Sequence, residues 1–314
     1  MVNLTIYIPT YNRLEKLKNC LKCIKHNIKG YEDKVCVYVS NNGSTDGTRE
    51  YLDSLEWVRK RHNEVNLGYS KNFVHAYDLP FQSKFVWIIG DDDYVVPGTI
   101  KDLVQRTKYD VDFIFCNTMA FSPEDEQKIW EMYPEVPDGA IKGKYPGEVE
   151  TTFEKLIDPN VADTLLGELM VICFRQSAVR WSQSLKHHEE FENEGRHRQA
   201  HNVPLIECFT KDTKVLYVQK PRTFNFWGTA EWLGDYDYVF PVIILWLIKK
   251  YRKFVGEQKY QELLGYYFSL MGNSIKRQIE GTSTAKPFSN DIKDVLLRTF
   301  EEYASNSNRN GKQL

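Results

Sequence analysis

The chain has 314 residues, 42% hydrophobic and 27% charged, an ordinary balance for a water-soluble fold with a sizeable core. Its formal charge of −2 supplies no positive excess for a nucleic-acid partner, and none is expected. No apolar run reaches the roughly 18 residues of a membrane span, and Met1-Val2-Asn3-Leu4-Thr5 starts no basic-then-apolar leader.

Leu4 to Ile8 predicts a short strand stopped by Pro9, and Leu14, Leu17, Leu21 and Ile24 have helical spacing. Cys20 and Cys23 form a CxxC inside that helix with no second pair, which reads as buried thiols rather than a redox or zinc site. With Cys36, Cys116, Cys173 and Cys208 they fit a reduced, cytoplasmic enzyme. Val35 to Val39 is a second strand, followed by a turn at 42–47 and a helix through about Leu55. Val58 marks a short strand, Tyr69 to Ala76 a helix, and 85–89 a buried strand ending in Gly90-Asp91-Asp92-Asp93. Pro97-Gly98 opens a helix to about Arg106, and Phe113 to Cys116 is a further strand. Alternation of this kind predicts an α/β fold, a mostly parallel, doubly wound sheet with helices on both faces.

The pattern then loosens. Pro123, Pro134, Pro137 and Pro146, with Gly139, Gly143 and Gly147, predict loops or a small hairpin over 122–150. Met170 to Phe174 and Val215 to Gln219 are strand-like, 183–202 is polar, and Val203 to Thr210 is a helix. From Asp237 the chain reads as helical, broken at Gly281 and Pro287, with a polar, frayed end over Ser305 to Leu314. This divides the chain at 1–120, 121–235 and 236–314.

Three adjacent carboxylates repel one another, and packing gains nothing from them. Alone they would be a solvated turn; at a strand's carboxyl end they suit hard-oxygen binding of Mg²⁺ or Mn²⁺. Three other segments fall at matching places: Ile8-Pro9-Thr10-Tyr11-Asn12-Arg13 after the first strand, Asn41 to Gly47 after the second, and Asn66 to Asn72, whose Lys71 lies near a helix start.

The series PTYNR, SNNGSTDGT, NLGYSKN and GDDD, in that order within residues 1–120, resembles the family 2 glycosyltransferases of GT-A fold. It especially resembles the bacterial branch that builds O-antigen, capsule or other surface glycans, abequosyltransferase-like enzymes included. The resemblance implies that Pro9, Thr10, Tyr11 and Arg13 line a nucleotide-sugar donor and that Lys71 lies near its diphosphate. Asn41 or Asn42 stands where the family has an aspartate that accepts from a uracil ring nitrogen. UDP is therefore the first expectation, and an amide there also admits another pyrimidine. Asp91 and Asp93 become the ends of a DXD motif with Asp92 between them. Asp91 and Asp92 face the donor, and Asp93 with Asp91 holds a divalent metal, Mn²⁺ or Mg²⁺. Such a metal offsets charge on the departing nucleoside diphosphate.

The acceptor hydroxyl then needs a base, which the family supplies from an acidic pair before a helix. Here that slot reads Arg196-His197-Arg198-Gln199-Ala200-His201-Asn202. His201 is the expected base; Glu194 is second, with Glu190 and Glu192 behind it, against the rival reading of an idle solvated loop. His197 and His201 also have metal-ligand spacing, but the neighbouring arginines argue against zinc. Trp227 and Trp232, with Phe224 and Phe226, would stack on acceptor sugars or, more commonly, form core. Val239 to Ile248 precedes Lys249, Lys250, Arg252 and Lys253: by default a buried helix with a basic end, alternatively a peripheral contact with anionic lipid. The combined expectation is a metal-dependent, inverting glycosyltransferase acting on a glycan acceptor, lipid-linked at the inner face of the plasma membrane. Residues 1–120 would bind the nucleotide sugar, 121–235 would face the acceptor, and 236–314 would add helices. The alternatives are a non-catalytic nucleotide- or glycan-binding protein of the same fold, or a sugar nucleotidyltransferase. The latter wants a Gly-rich loop after the first strand, which PTYNR is not.

Overall fold

A computed structural model describes residues 1–141, 147–162, 165–179, 202–226 and 234–309. In chain order the first half comprises β1 (Val2–Thr10), α1 (Leu14–Asn27), β2 (Val35–Asn41), α2 (Thr48–Asp53), β3 (Val58–His62), α3 (Tyr69–Phe73), β4 (Ser83–Ile88), β5 (Tyr94–Val95), α4 (Thr99–Arg106) and β6 (Phe113–Phe121). There follow α5 (Glu126–Met132), β7 (Ala140–Ile141), β8 (Glu148–Thr152), α6 (Phe153–Leu156), β9 (Ile172–Arg175), α7 (Val203–Cys208), β10 (Lys214–Phe226), α8 (Tyr236–Tyr251), α9 (Glu257–Glu280) and α10 (Asn290–Arg309).

One sheet runs in the order β3-β2-β1-β4-β9-β6-β10-β5, with β7 beside β6 and β8 beside β10. β1 pairs in parallel with both β2 and β4, β2 with β3, and β6 with β10. Short β9 lies antiparallel between β4 and β6, so those two run the same way.

Strand side chains alternate between two buried faces. Leu4, Ile6 and Ile8 join Phe85, Trp87, Ile114 and Leu216 under α1 and α4. Tyr7, Val86, Ile88, Phe115 and Tyr217 pack on the other face with α3, α6, α7 and the C-terminal helices α8 and α9. Both faces are covered, so the central strands are apolar throughout, as two-sided burial requires. Each large apolar side chain so buried contributes about 1.5–3 kcal/mol. The α/β layering is the one the sequence alternation predicts.

Several elements differ from their expected extents. The helix from Tyr69 stops at Phe73 and tightens to a 3-10 turn over Val74–Tyr77. The proline-rich stretch carries helix α5, whose Ile129 and Trp130 pack against the sheet. β10 continues seven residues past its expected apolar run because Phe224 and Phe226 are inward-facing core, against Tyr94 and Phe121. α7 ends at Cys208 rather than Thr210, and α10 runs helically to Arg309, through residues expected to fray. All six cysteines are free, and burial pushes Cys23 up to about 12, so the CxxC is a pair of packed thiols. Among the described residues no helix is long and apolar enough to cross a membrane. In the basic run after α8, Lys253 donates to the Ile206 carbonyl and Arg252 pairs with Glu257 and Glu302.

Candidate functional site

Parallel register sets three strand ends in one row: Thr10 of β1 is opposite Asn41 of β2, and Asn41 is opposite His62 of β3. On the other side of β1, β4 delivers Gly90-Asp91-Asp92-Asp93 to the same edge, where Ile89 N–H bonds to the Tyr7 carbonyl at 3.1 Å. Strand order reverses between β1 and β4, and a crevice forms at the carboxyl edge of such a switch point.

The acidic turn buries its first and third carboxylates and is tied to the loop after β1. Asp91 is 3% exposed; its Oδ2 accepts from Thr10 Oγ1 at 2.7 Å and its Oδ1 from Arg13 Nη1 at 2.7 Å. Arg13 Nη2 reaches Asp92 Oδ2 at 2.5 Å, and Lys16 Nζ lies 3.9 Å from the same oxygen. Asp93, 4% exposed, accepts the Gly90 N–H on Oδ2 at 2.6 Å. Beneath the turn, the Cys20 thiol donates to the Gly90 carbonyl. Burial pushes Asp91 up to about 7, with Arg13 opposing and Asp92 adding. Burial, then Asp92, raises Asp93 well above the ordinary carboxylate range.

Glu168 adds to that charge: its negative field further raises Asp93. Trp87 Nε1 donates to the Met170 carbonyl at 2.8 Å and Cys116 N–H to the Val171 carbonyl at 3.1 Å, which anchor the segment entering β9 at the same edge. Sequence reading missed Glu168. Its only local signal is a carboxylate just before an apolar strand.

The asparagines form a separate network. Asn42 uses its full hydrogen-bonding capacity: Nδ2 donates to Asn66 Oδ1 at 2.8 Å and the Gly68 carbonyl at 3.3 Å, while Oδ1 accepts from Asn63 Nδ2 and Leu67 N, both at 3.0 Å. Asn41 accepts from Ser44 N–H at 3.1 Å and faces His62 Nδ1 at 3.1 Å. Asn12, in a left-handed conformation, links the first two loops by accepting Thr45 N–H at 2.8 Å.

Residues 5–173 match the family model described as Glycosyl transferase family 2. The chain belongs to glycosyl transferase family 2. The abequosyltransferase RfbV of Salmonella typhimurium is 34% identical over 118 residues, which are 35% of this chain and 34% of that protein. The chain thus aligns with about a third of that curated relative's length. Among solved structures, S. aureus TarS 1–349 in complex with UDP-GlcNAc superposes with a TM-score of 0.62 at 14% identity, over 96% of this chain and 80% of that one. The mannosyltransferase PcManGT from Pyrobaculum calidifontis, solved with GDP-Man and Mn²⁺, gives 0.51 at 12% identity, over 99% and 83%. At such identities the likeness is one of fold, and the fold is GT-A.

Of the residues the sequence pointed to, the structure of this family 2 chain brings Thr10, Arg13, Asp91, Asp92 and Asp93 to one place. Pro9 is the residue before Thr10 on β1, and Tyr11 is 41% exposed beside the crevice. Asn41 and Asn42 are buried next to it, and Lys71 is exposed on α3. His201, Glu190, Glu192, Glu194, Trp227 and Trp232 lie outside the described residues. Among the described residues no three His, Cys, Asp or Glu side chains form a metal-holding group. A diphosphate-bridging Mg²⁺ or Mn²⁺ needs only one or two protein carboxylates, because phosphate oxygens and water supply the rest. Asp93 fits that requirement in kind: a buried hard-oxygen donor, in a field of like charge, with no cation bonded to it among the described residues.

Proposed function

We propose that the chain is a metal-dependent glycosyltransferase that moves a sugar from a nucleotide-sugar donor, UDP-linked in the first instance, to a glycan acceptor. The observation that carries this is the Asp91-Asp92-Asp93 turn, its two outer carboxylates buried, held by Thr10 and Arg13 at the sheet edge between β1 and β4.

Asp91 is fixed by two bonds and orients the donor's ribose side, while Asp93, with Asp91 beside it, would hold Mn²⁺ or Mg²⁺. A bound divalent ion would offset charge on the departing nucleoside diphosphate. Pro9, Thr10, Tyr11, Arg13 and Asn41 line the nucleotide, and Lys71 and Asp92 stand toward the phosphates. Arg13 spans Asp91 and Asp92 and opposes the effect of burial on Asp91. His201 takes the acceptor hydroxyl's proton in an inverting single displacement, with Glu194 as the second choice, and Trp227 and Trp232 stack on the acceptor. Support for the acceptor class is the partial identity to an abequosyltransferase. With the motif resemblance, the reading is an acceptor that is a bacterial surface glycan carried on lipid and an enzyme that works at the cytoplasmic face of the membrane. The three stretches 1–120, 121–235 and 236–314 serve donor, acceptor and helical support.

The test is a screen of UDP-, GDP-, CDP- and dTDP-sugars for protection against heating and for slow hydrolysis, with Mn²⁺ or with EDTA. Stabilisation grows with donor occupancy, so no acceptor is needed. One nucleotide should protect in Mn²⁺ and lose most of that effect in EDTA. Protection by none overturns the donor reading, and equal protection in EDTA overturns the metal.

A further inference from the structure

His62 completes the strand-end row with Thr10 and Asn41, and the donor site as described gives it no role. Its side chain is 12% exposed, with Nδ1 at 3.1 Å from Asn41 Nδ2 and Nε2 at 3.2 Å from Asp53 Oδ1. Ser44 N–H can only donate, so the oxygen of Asn41 must face it, and the amide nitrogen turns to His62. Nδ1 then accepts, the ring hydrogen sits on Nε2, and the Asp53 carboxylate receives it. Asp53 is itself placed by Lys60, whose Nζ lies 3.7 Å from Oδ1 and bonds to the Leu52 carbonyl at 2.8 Å. The tautomer, the ring rotation and the amide orientation are thereby set together.

We propose that His62 is a positioning residue for the donor's nucleobase, acting through Asn41; this rests on the donor-site reading above. Asn42 has no capacity left, whereas Asn41 keeps one N–H and one lone pair that no described residue takes up. An N–H beside a lone pair complements a base edge that sets an acceptor next to a donor. Without His62 only the Ser44 N–H on its oxygen holds the amide, which then presents that pair only part of the time.

The experiment measures binding of inorganic pyrophosphate and of UDP, CDP, GDP and dTDP by calorimetry, in Mn²⁺. It compares the wild type with His62→Ala, Asp53→Asn, Asn41→Ala and the His62→Ala/Asn41→Ala double variant. For whichever nucleotide the wild type binds, His62→Ala should weaken affinity by about tenfold, the value of one oriented hydrogen bond, with pyrophosphate binding unchanged. Asp53→Asn, at an exposed position that threatens folding less, should weaken the nucleotide by a few-fold and leave pyrophosphate alone. In the Asn41→Ala background His62→Ala should add nothing. Additive losses, equal losses for nucleotide and pyrophosphate, or no loss in either variant overturn the proposal. A wild type that binds no nucleotide at all overturns the donor reading itself.

Discussion

Arg13 Nη1 lies 2.7 Å from Asp91 Oδ1, joining the residue that opens the first helix to the turn after the fourth strand. Without that guanidinium, Asp91 would be a buried carboxyl with the Thr10 hydroxyl and the more distant Lys16 charge to stabilise its ionised form. Removing one partner of a deeply buried pair costs about 3–5 kcal/mol. Arg13 is 24% exposed, and solvent screening brings the expected cost to about 1–3 kcal/mol. Arg13→Gln should show that loss in chemical denaturation, together with nucleotide binding at least tenfold weaker. Arg13→Lys should fall between, since one ammonium cannot span Asp91 and Asp92 as the fork does. Wild-type binding by Arg13→Gln would remove Arg13 from the donor site.

Asp93 should destabilise the metal-free protein in a pH-dependent way. A carboxyl whose folded value is raised binds its proton more tightly folded than unfolded. The unfolded chain ionises above about pH 4, so the penalty is absent below that and grows as pH rises. Asp93→Asn keeps an acceptor for the Gly90 N–H and removes the charge. Its melting temperature in EDTA should match wild type near pH 4 and exceed it at pH 8, while Mn²⁺-dependent nucleotide binding and turnover are lost. Undiminished turnover would sink the metal assignment.

Gly90 is needed for the crowding of this turn. A Cβ there would stand 3.0 Å from both Asp92 Oδ1 and Asp93 Oδ2. Gly90→Ala should therefore push the two carboxylates aside and lower kcat/KM by about 10²-fold, the scale of an ångström of misplacement. The fold should survive, with little change in melting temperature. An unaltered kcat/KM would show that the carboxylates tolerate that displacement.

Far from the crevice, Arg277 ties α9 to α8 through Asp237, with Nε to Oδ2 at 2.7 Å and a second bond to Oδ1. That fork pulls Asp237 down to about 2. A depressed carboxyl contributes its stability above the unfolded value, near pH 4, and loses it as pH falls through about 2. Asp237→Asn should lower the urea midpoint at pH 7, and the gap to wild type should close between pH 4 and pH 2. A gap that stays constant would mean the charge is irrelevant to the helix pair.

Periodicity made the first half of the fold readable because each strand there is a continuous apolar run buried on both faces. Apolar pattern alone could not find β5, which is two residues long and exists by pairing with β10, whereas β9 falls on the strand-like run Met170 to Phe174. Helix α5 was hidden among prolines, though its Ile129 and Trp130 are spaced to reach the sheet. At the site, the motifs brought Thr10, Arg13 and Asp91 together by their places at strand ends. The inward bonding of Asn42 was not readable, because its partners at 63–68 come from another loop and an amide's use depends on what surrounds it.

β6 is buried along its whole length, and one flank of it is covered by β10, drawn from residues 214–226. The stretch that matches the family model, 5–173, therefore is not a sheet that can be cut out. A fragment ending there would leave β6 with an open edge of unmet N–H and C=O groups flanked by phenylalanines, a template for pairing with other copies. Expression of the matched stretch alone should give insoluble material, and a minimal soluble piece has to carry the chain through Phe226 and the helices that roof that face.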